Sequence, residues 1–170
     1  MSLLKCFDRS APGLKRRLHF LTWVFILGLF LSGATAIPLQ KEVHWLATVS
    51  GVHGSASGFT QWFWRVRQAL DDTAANQPFL FYGTDWLAFG HFVIAIVFIG
   101  ALRDPVRNRW LYDFGLIACA LVIPFALVFG GWRGIPLWWR LIDCSFALFG
   151  AIPLWFCRKW TIELEKSGME

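Results

Sequence analysis

Arg140 and Asp143 carry the charge furthest into an apolar stretch of this sequence, in Trp132 to Cys144, WRGIPLWWRLIDC. Arg133 precedes a Gly134-Ile135-Pro136 turn, and Pro136 suits the first position of a helix, whose missing N–H costs nothing there. Arg140 and Asp143 then fall one turn apart on one face. A helix rising 1.5 Å per residue carries Asp143 about 10 Å inward. A carboxylate at such a depth in a bilayer costs roughly 2.5–3.5 kcal/mol on insertion scales, so it needs a partner or a polar cavity. Arg140 is the expected partner, in an ion pair that fixes the helix's depth and register; a ligand or proton site is the alternative.

Other groups of suitable chemistry fall on the same predicted side. His44 and His53 lie in a long connection, and Asp85, Trp86 and His91 open the second apolar run. Arg133, Trp138, Trp139, Arg140 and Asp143 lie at the last hairpin. His44, His53 and His91 are weak metal candidates, and His91 is the weak candidate to touch haem or a quinone, since imidazole suits both metal and haem iron. No HExxH, CxxCH or paired Cys/His spacing supports a metal, so no metal or cofactor is expected. Ser145 beside Asp143 makes no nucleophile elbow, and Asp71-Asp72 lacks the further carboxylates of a diphosphate site. No catalytic residue is assigned, and the balance leans away from an enzyme.

The elements that must position these groups are apolar helices. The chain has 170 residues, 56% hydrophobic and 18% aromatic, with only 16% charged, against about 25% charged in soluble domains. Leu18 to Gln40 contains 23 residues without a formal charge, Asp85 and Arg103 bracket 17, and Phe114 to Trp132 supplies 19. A hydrocarbon core of about 30 Å takes about 20 helical residues, so these runs can cross it. The expected fold is all-α: an integral membrane four-helix bundle in one domain over 1–170, with spans near 19–38, 86–102, 111–130 and 136–156. Pro124 and Pro153 fall inside spans three and four. A transporter of broken helices would show matching breaks in both halves, which spans one and two lack. Asp143 and Arg140 would nevertheless be the working pair of a small transporter.

The connection 40–84 is too long to be idle. Val43, Leu46 and Ala47 continue one helical face. After the Gly/Ser-rich break at 51–58, Phe59, Trp62, Phe63, Val66 and Leu70 recur at helical spacing, with Gln61, Arg65, Gln68 and Asp72 on other faces. One or two short amphipathic helices are expected in this extracytoplasmic loop, packed on the bundle. Thr84 is read as the cap of span two, with Asp85 in its first turn.

Lysines and arginines divide 11 against 5 between the leader, the 103–109 turn and the tail on one side and the long loop and last hairpin on the other. That bias predicts cytoplasmic N and C termini. Eleven tryptophans gather near segment ends, as in an aromatic belt. The basic residues flank apolar runs and form no stripe with interleaved aromatics, so nucleic acid is not an expected partner. The four cysteines, Cys6, Cys119, Cys144 and Cys157, show no disulfide spacing. Ser32, Gly33, Ala34 and Ala36 would let a neighbouring backbone approach. Ala34-x-Ala36 is also how a signal-peptide cleavage site reads; an uncleaved anchor is the favoured reading.

Several motifs run together: Ser32-Gly33-Ala34-Thr35-Ala36-Ile37-Pro38-Leu39, Tyr82-Gly83-Thr84-Asp85-Trp86-Leu87-Ala88-Phe89-Gly90-His91, Arg103-Asp104-Pro105-Val106-Arg107-Asn108, Arg133-Gly134-Ile135-Pro136 and Trp139-Arg140-Leu141-Ile142-Asp143-Cys144-Ser145-Phe146. Across residues 20–157 they resemble a group of uncharacterised bacterial polytopic inner-membrane proteins with no assigned activity. The resemblance implies a multi-pass protein of the bacterial inner membrane and supplies no catalytic residue. The expected role is a scaffold or accessory subunit that meets the lipid bilayer and a membrane-protein partner, or a second copy of itself, at its outer aromatic side. A redox protein holding quinone or haem near His91 is the alternative class.

Overall fold

The computed structural model describes residues 11–49 and 58–166. All regular structure there is helical: α1 (Ala11–Ala36), α2 (Leu39–Val49), α3 (Gly58–Asn76), a 3₁₀ turn (Pro78–Phe81), α4 (Tyr82–Arg103), α5 (Arg109–Trp132) and α6 (Leu137–Lys166). Four of these, α1, α4 with its 3₁₀ prelude, α5 and α6, are long and apolar enough to cross a membrane. Their outward faces carry large apolar groups, among them Phe20, Ile96, Leu121, Phe125 and Phe149. Lipid tails accept such a surface; water does not. The all-α membrane fold read from the sequence is the one found.

Two compact units divide the chain, Met1–Leu27 with Ile96–Glu170, and Gly28–Ala95, so α1 and α4 contribute to both. In the first unit α5 and α6 form an antiparallel hairpin. Ion pairs join Arg109 to Glu165 and Asp113 to Arg158 at its open end. Gly115 faces Leu154 further along, and Gly130 faces Arg140 near the turn. Pro124 and Pro153 lie inside their helices without ending them.

The turn is closed by backbone geometry. Gly134 adopts φ 71°, a conformation that an L side chain resists and glycine does not. The Gly134 N–H donates to the Gly131 carbonyl at 3.1 Å and the Ile135 N–H to the Gly130 carbonyl at 2.8 Å. These are the two bonds of a Schellman ending, which satisfy the last carbonyls of α5. The Pro136 carbonyl then accepts from Trp139 and Arg140. Pro136 thus stands one position ahead of the first helical residue, Leu137.

The last stretch of the chain departs from its sequence reading. Residues from Cys157 onward looked like a polar tail, yet α6 continues unbroken to Lys166. Leu154, Cys157, Thr161 and Leu164 are all buried along it. Their spacing of three and four residues keeps one face on the bundle while Arg158 and Glu165 reach sideways to α5.

In the second unit Gly33 of α1 meets α4. A Cβ there would lie 2.9 Å from the Ala88 carbonyl oxygen and 3.0 Å from His91 Cβ, so only glycine permits the approach. Phe30 and Phe92 pack beside it, centroids 5.0 Å apart. Helix α3 packs on α2, with Val43 and Ala47 buried and Gln40 donating to Asp71 at 3.0 Å. Trp62, Phe63, Val66 and Leu70 are partly covered, whereas Gln61, Arg65, Gln68 and Asp72 are exposed. The amphipathic reading of this segment therefore assigns its faces correctly, except that Phe59 stays exposed.

Thr84 does not cap α4. Proline at 78 starts a 3₁₀ turn that runs into the helix at Tyr82. Thr84 is already inside, and its hydroxyl donates back to the Phe81 carbonyl at 2.7 Å.

Candidate functional site

Arg140 does not pair with Asp143. Its Nη1 donates to the Leu127 carbonyl of α5 at 2.9 Å. The notch that allows this is Gly130-Gly131: a Cβ on Gly130 would meet Arg140 Cδ at 2.6 Å, and one on Gly131 would meet Nη1 at 3.0 Å. Two missing side chains let the arginine stem lie against the helix, and its Nε is buried without a partner. Helical spacing put the guanidinium and the carboxylate on one face, but the neighbouring helix offered the closer acceptor.

Asp143 is thereby left in an apolar wall. It lines an open groove of about 750 Å³ on the hairpin, with Phe125, Phe129, Gly130, Arg133 and Ile135. No ion pair to Asp143 forms among the described residues. Arg133 follows the end of α5 with its guanidinium over the Trp132 ring, 5.7 Å from the centroid. The groove therefore presents a carboxylate in its wall, a cation at the turn and aromatic surface between. Trp138 and Trp139 pack edge to face at 5.5 Å at the start of α6.

The remaining predicted site residues belong to the other unit. Asp85 lies in the first turn of α4, exposed, and Trp86 stands between Tyr82 and Phe89 in an edge-to-face row with centroids 5.9 and 5.5 Å apart. His91 Nδ1 lies 2.8 Å from the Leu87 carbonyl. A carbonyl only accepts, so Nδ1 carries the proton and Nε2 keeps its lone pair in the neutral ring. His44 is exposed on α2, and His53 lies outside the described residues. Among the described residues no three His, Cys, Asp or Glu side chains come together as a metal would require.

One polar cluster escaped sequence reasoning. Thr22 of α1 donates to the Leu18 carbonyl at 2.8 Å and lies 2.9 Å from the Tyr112 hydroxyl and 3.6 Å from Cys157 Sγ. Thr161 donates to the Cys157 carbonyl at 2.8 Å. All four side chains are buried. A hydroxyl has one proton and Thr22 spends it on Leu18, so Tyr112 donates to Thr22. The available signal was a threonine and a tyrosine inside apolar runs, where each must find a hydrogen-bond partner. Cys119, Cys144 and Cys157 are free thiols.

Four apolar spans, a helical hairpin with an open groove and all-helical connections define a multi-pass α-helical membrane protein. No protein-family model, curated protein or solved structure matches the chain.

Proposed function

We propose that this chain is a non-enzymatic accessory protein of a bacterial inner membrane, with both termini in the cytoplasm, that holds a partner membrane protein in the groove of its α5–α6 hairpin. The observation that carries this reading is Asp143, which stands in the wall of an apolar groove while Arg140 is bound to the Leu127 carbonyl. A carboxylate that far along a membrane span is costly unless something supplies a cation or a donor. A partner helix bearing a lysine, arginine or hydroxyl supplies it, and packs its apolar side on Phe125 and Phe129. The division of lysines and arginines, 11 against 5, supports the orientation.

The test places a photo-crosslinking residue at Phe125 in cell membranes, with a second at the exposed Phe20 of α1 as control. A single protein adduct is expected from position 125, absent from position 20 and lost when Asp143→Asn is added. A lipid adduct alone, or a protein adduct indifferent to Asp143→Asn, sinks the reading.

The unshared Nε2 of His91 favours a second reading, a quinone or haem contact on α4. An absorption spectrum of protein purified in mild detergent decides it: a Soret band or bound quinone that His91→Ala abolishes supports the redox role, and a colourless, quinone-free preparation excludes it.

A further inference from the structure

At the end of the first unit away from the groove, the start of α1 and the turn after α4 enclose a cleft of about 640 Å³. Lys15, His19, Arg103 and Arg107 line it, and Asp104 is the one carboxylate among its lining residues. Asp104 is committed to the turn: its Oδ1 accepts from the Arg107 backbone N–H at 2.9 Å. Lys15, Arg103 and Arg107 form no ion pair with a carboxylate among the described residues. Cations gathered around one cleft repel each other, and an anion placed among them removes that cost.

The cleft is also rigid. Asp104 N–H donates to the Gly100 carbonyl at 3.1 Å, and Asn108 N–H to the Asp104 carbonyl at 3.1 Å. The Asn108 side-chain amide binds both of those carbonyls, at 3.0 and 2.9 Å. Pro105 is buried beneath it. A fixed loop holds its ligating side chains in place at less entropic cost on binding.

We propose that this cleft binds a phosphate group. Arginine forks match phosphate oxygens two at a time, and lysine adds a mobile point charge. The cleft lies where the apolar run of α1 begins and that of α4 ends, the level at which a membrane presents its headgroups. An anionic phospholipid reaches it from the side and a soluble phosphate from the water, and the chemistry is shared.

The experiment uses the full chain in mild detergent, titrated with phosphatidylglycerol, phosphatidylcholine or inorganic phosphate and read by native mass spectrometry. Arg103→Gln, Arg107→Gln and their combination test the cleft; the pair Lys41→Gln and Arg65→Gln removes the same charge from α2 and α3. A loss of about 5-fold is expected for each single change and about 30-fold for the pair, from the usual worth of a cation near an anionic headgroup. The control pair should bind as the parent does. Phosphatidylglycerol retained with that pattern identifies a lipid; inorganic phosphate bound with that pattern, and phosphatidylglycerol not, identifies a soluble ligand. Equal retention of phosphatidylcholine, an equal loss in the control pair, or no loss in the cleft pair overturns the proposal. Circular dichroism of each variant confirms that the helices remain.

Discussion

Tyr112 of α5 donates its hydroxyl to Thr22 of α1 across 2.9 Å, at a point where both side chains are buried. The bond belongs to a chain of donors that ends on the Leu18 carbonyl, with the Cys157 thiol 3.7 Å from the same oxygen. Three helices meet there.

Removing Thr22 should therefore cost more than removing the tyrosine oxygen. Thr22→Val leaves a buried phenol with no acceptor, at about 1–3 kcal/mol, whereas Tyr112→Phe leaves Thr22 bonded to Leu18 and costs about 1 kcal/mol. The double variant should cost less than the two together. Unfolding in mixed detergent micelles measures all three, and strict additivity would show that the bond contributes nothing.

Two glycines of α1 should respond in opposite directions to an added methyl group. Gly33→Ala drives a Cβ to 2.9 Å from the Ala88 carbonyl oxygen, and backbone cannot step aside as a side chain can. A loss of about 1–3 kcal/mol is expected. Gly28 has open space around it, so Gly28→Ala should be neutral or stabilise by up to about 1 kcal/mol through helix propensity. Thermal midpoints of the two variants in one detergent make the comparison, and a similar effect at both positions would contradict the packing of Gly33.

Arg140 and Asp143 should behave as independent residues. In a double-mutant cycle of Arg140→Gln and Asp143→Asn, the coupling is expected below about 0.5 kcal/mol, because the guanidinium is held by Leu127 and forms no ion pair with the carboxylate. A coupling of several times that size, read from the same unfolding assay, would restore the ion pair. Gly130→Ala adds a check on the same contact, since its new methyl collides with the arginine stem. It should destabilise the parent but not the Arg140→Ala background.

Much of the architecture was legible because it rests on local arithmetic. Uncharged runs of membrane-spanning length announced the four long helices, and the spacing of Trp62, Phe63, Val66 and Leu70 announced α3. What escaped was decided between helices. Arg140 and Asp143 do share a face, yet a glycine notch on α5 drew the arginine elsewhere, and no pattern within α6 encodes that. Thr84 has the chemistry of a cap, but Pro78 began the helical turn before it. The C-terminal segment misled through its charges: Arg158, Lys159, Glu163, Glu165 and Lys166 suggested solvent, while Leu154, Cys157, Thr161 and Leu164 were marking a buried stripe at the same time. The Thr22 cluster left the weakest trace, since single polar residues in apolar runs name no partner.

The α5–α6 hairpin brings together segments that are neighbours along the chain, and such contacts close small loops at modest entropic cost. The bond from Tyr112 to Thr22 is of another kind, joining positions 90 residues apart. During synthesis, α1 enters the bilayer long before Tyr112 and Cys157 exist. Until then Thr22 has only its own helix to bond to. The earliest span to be made is thus completed by residues of the last two.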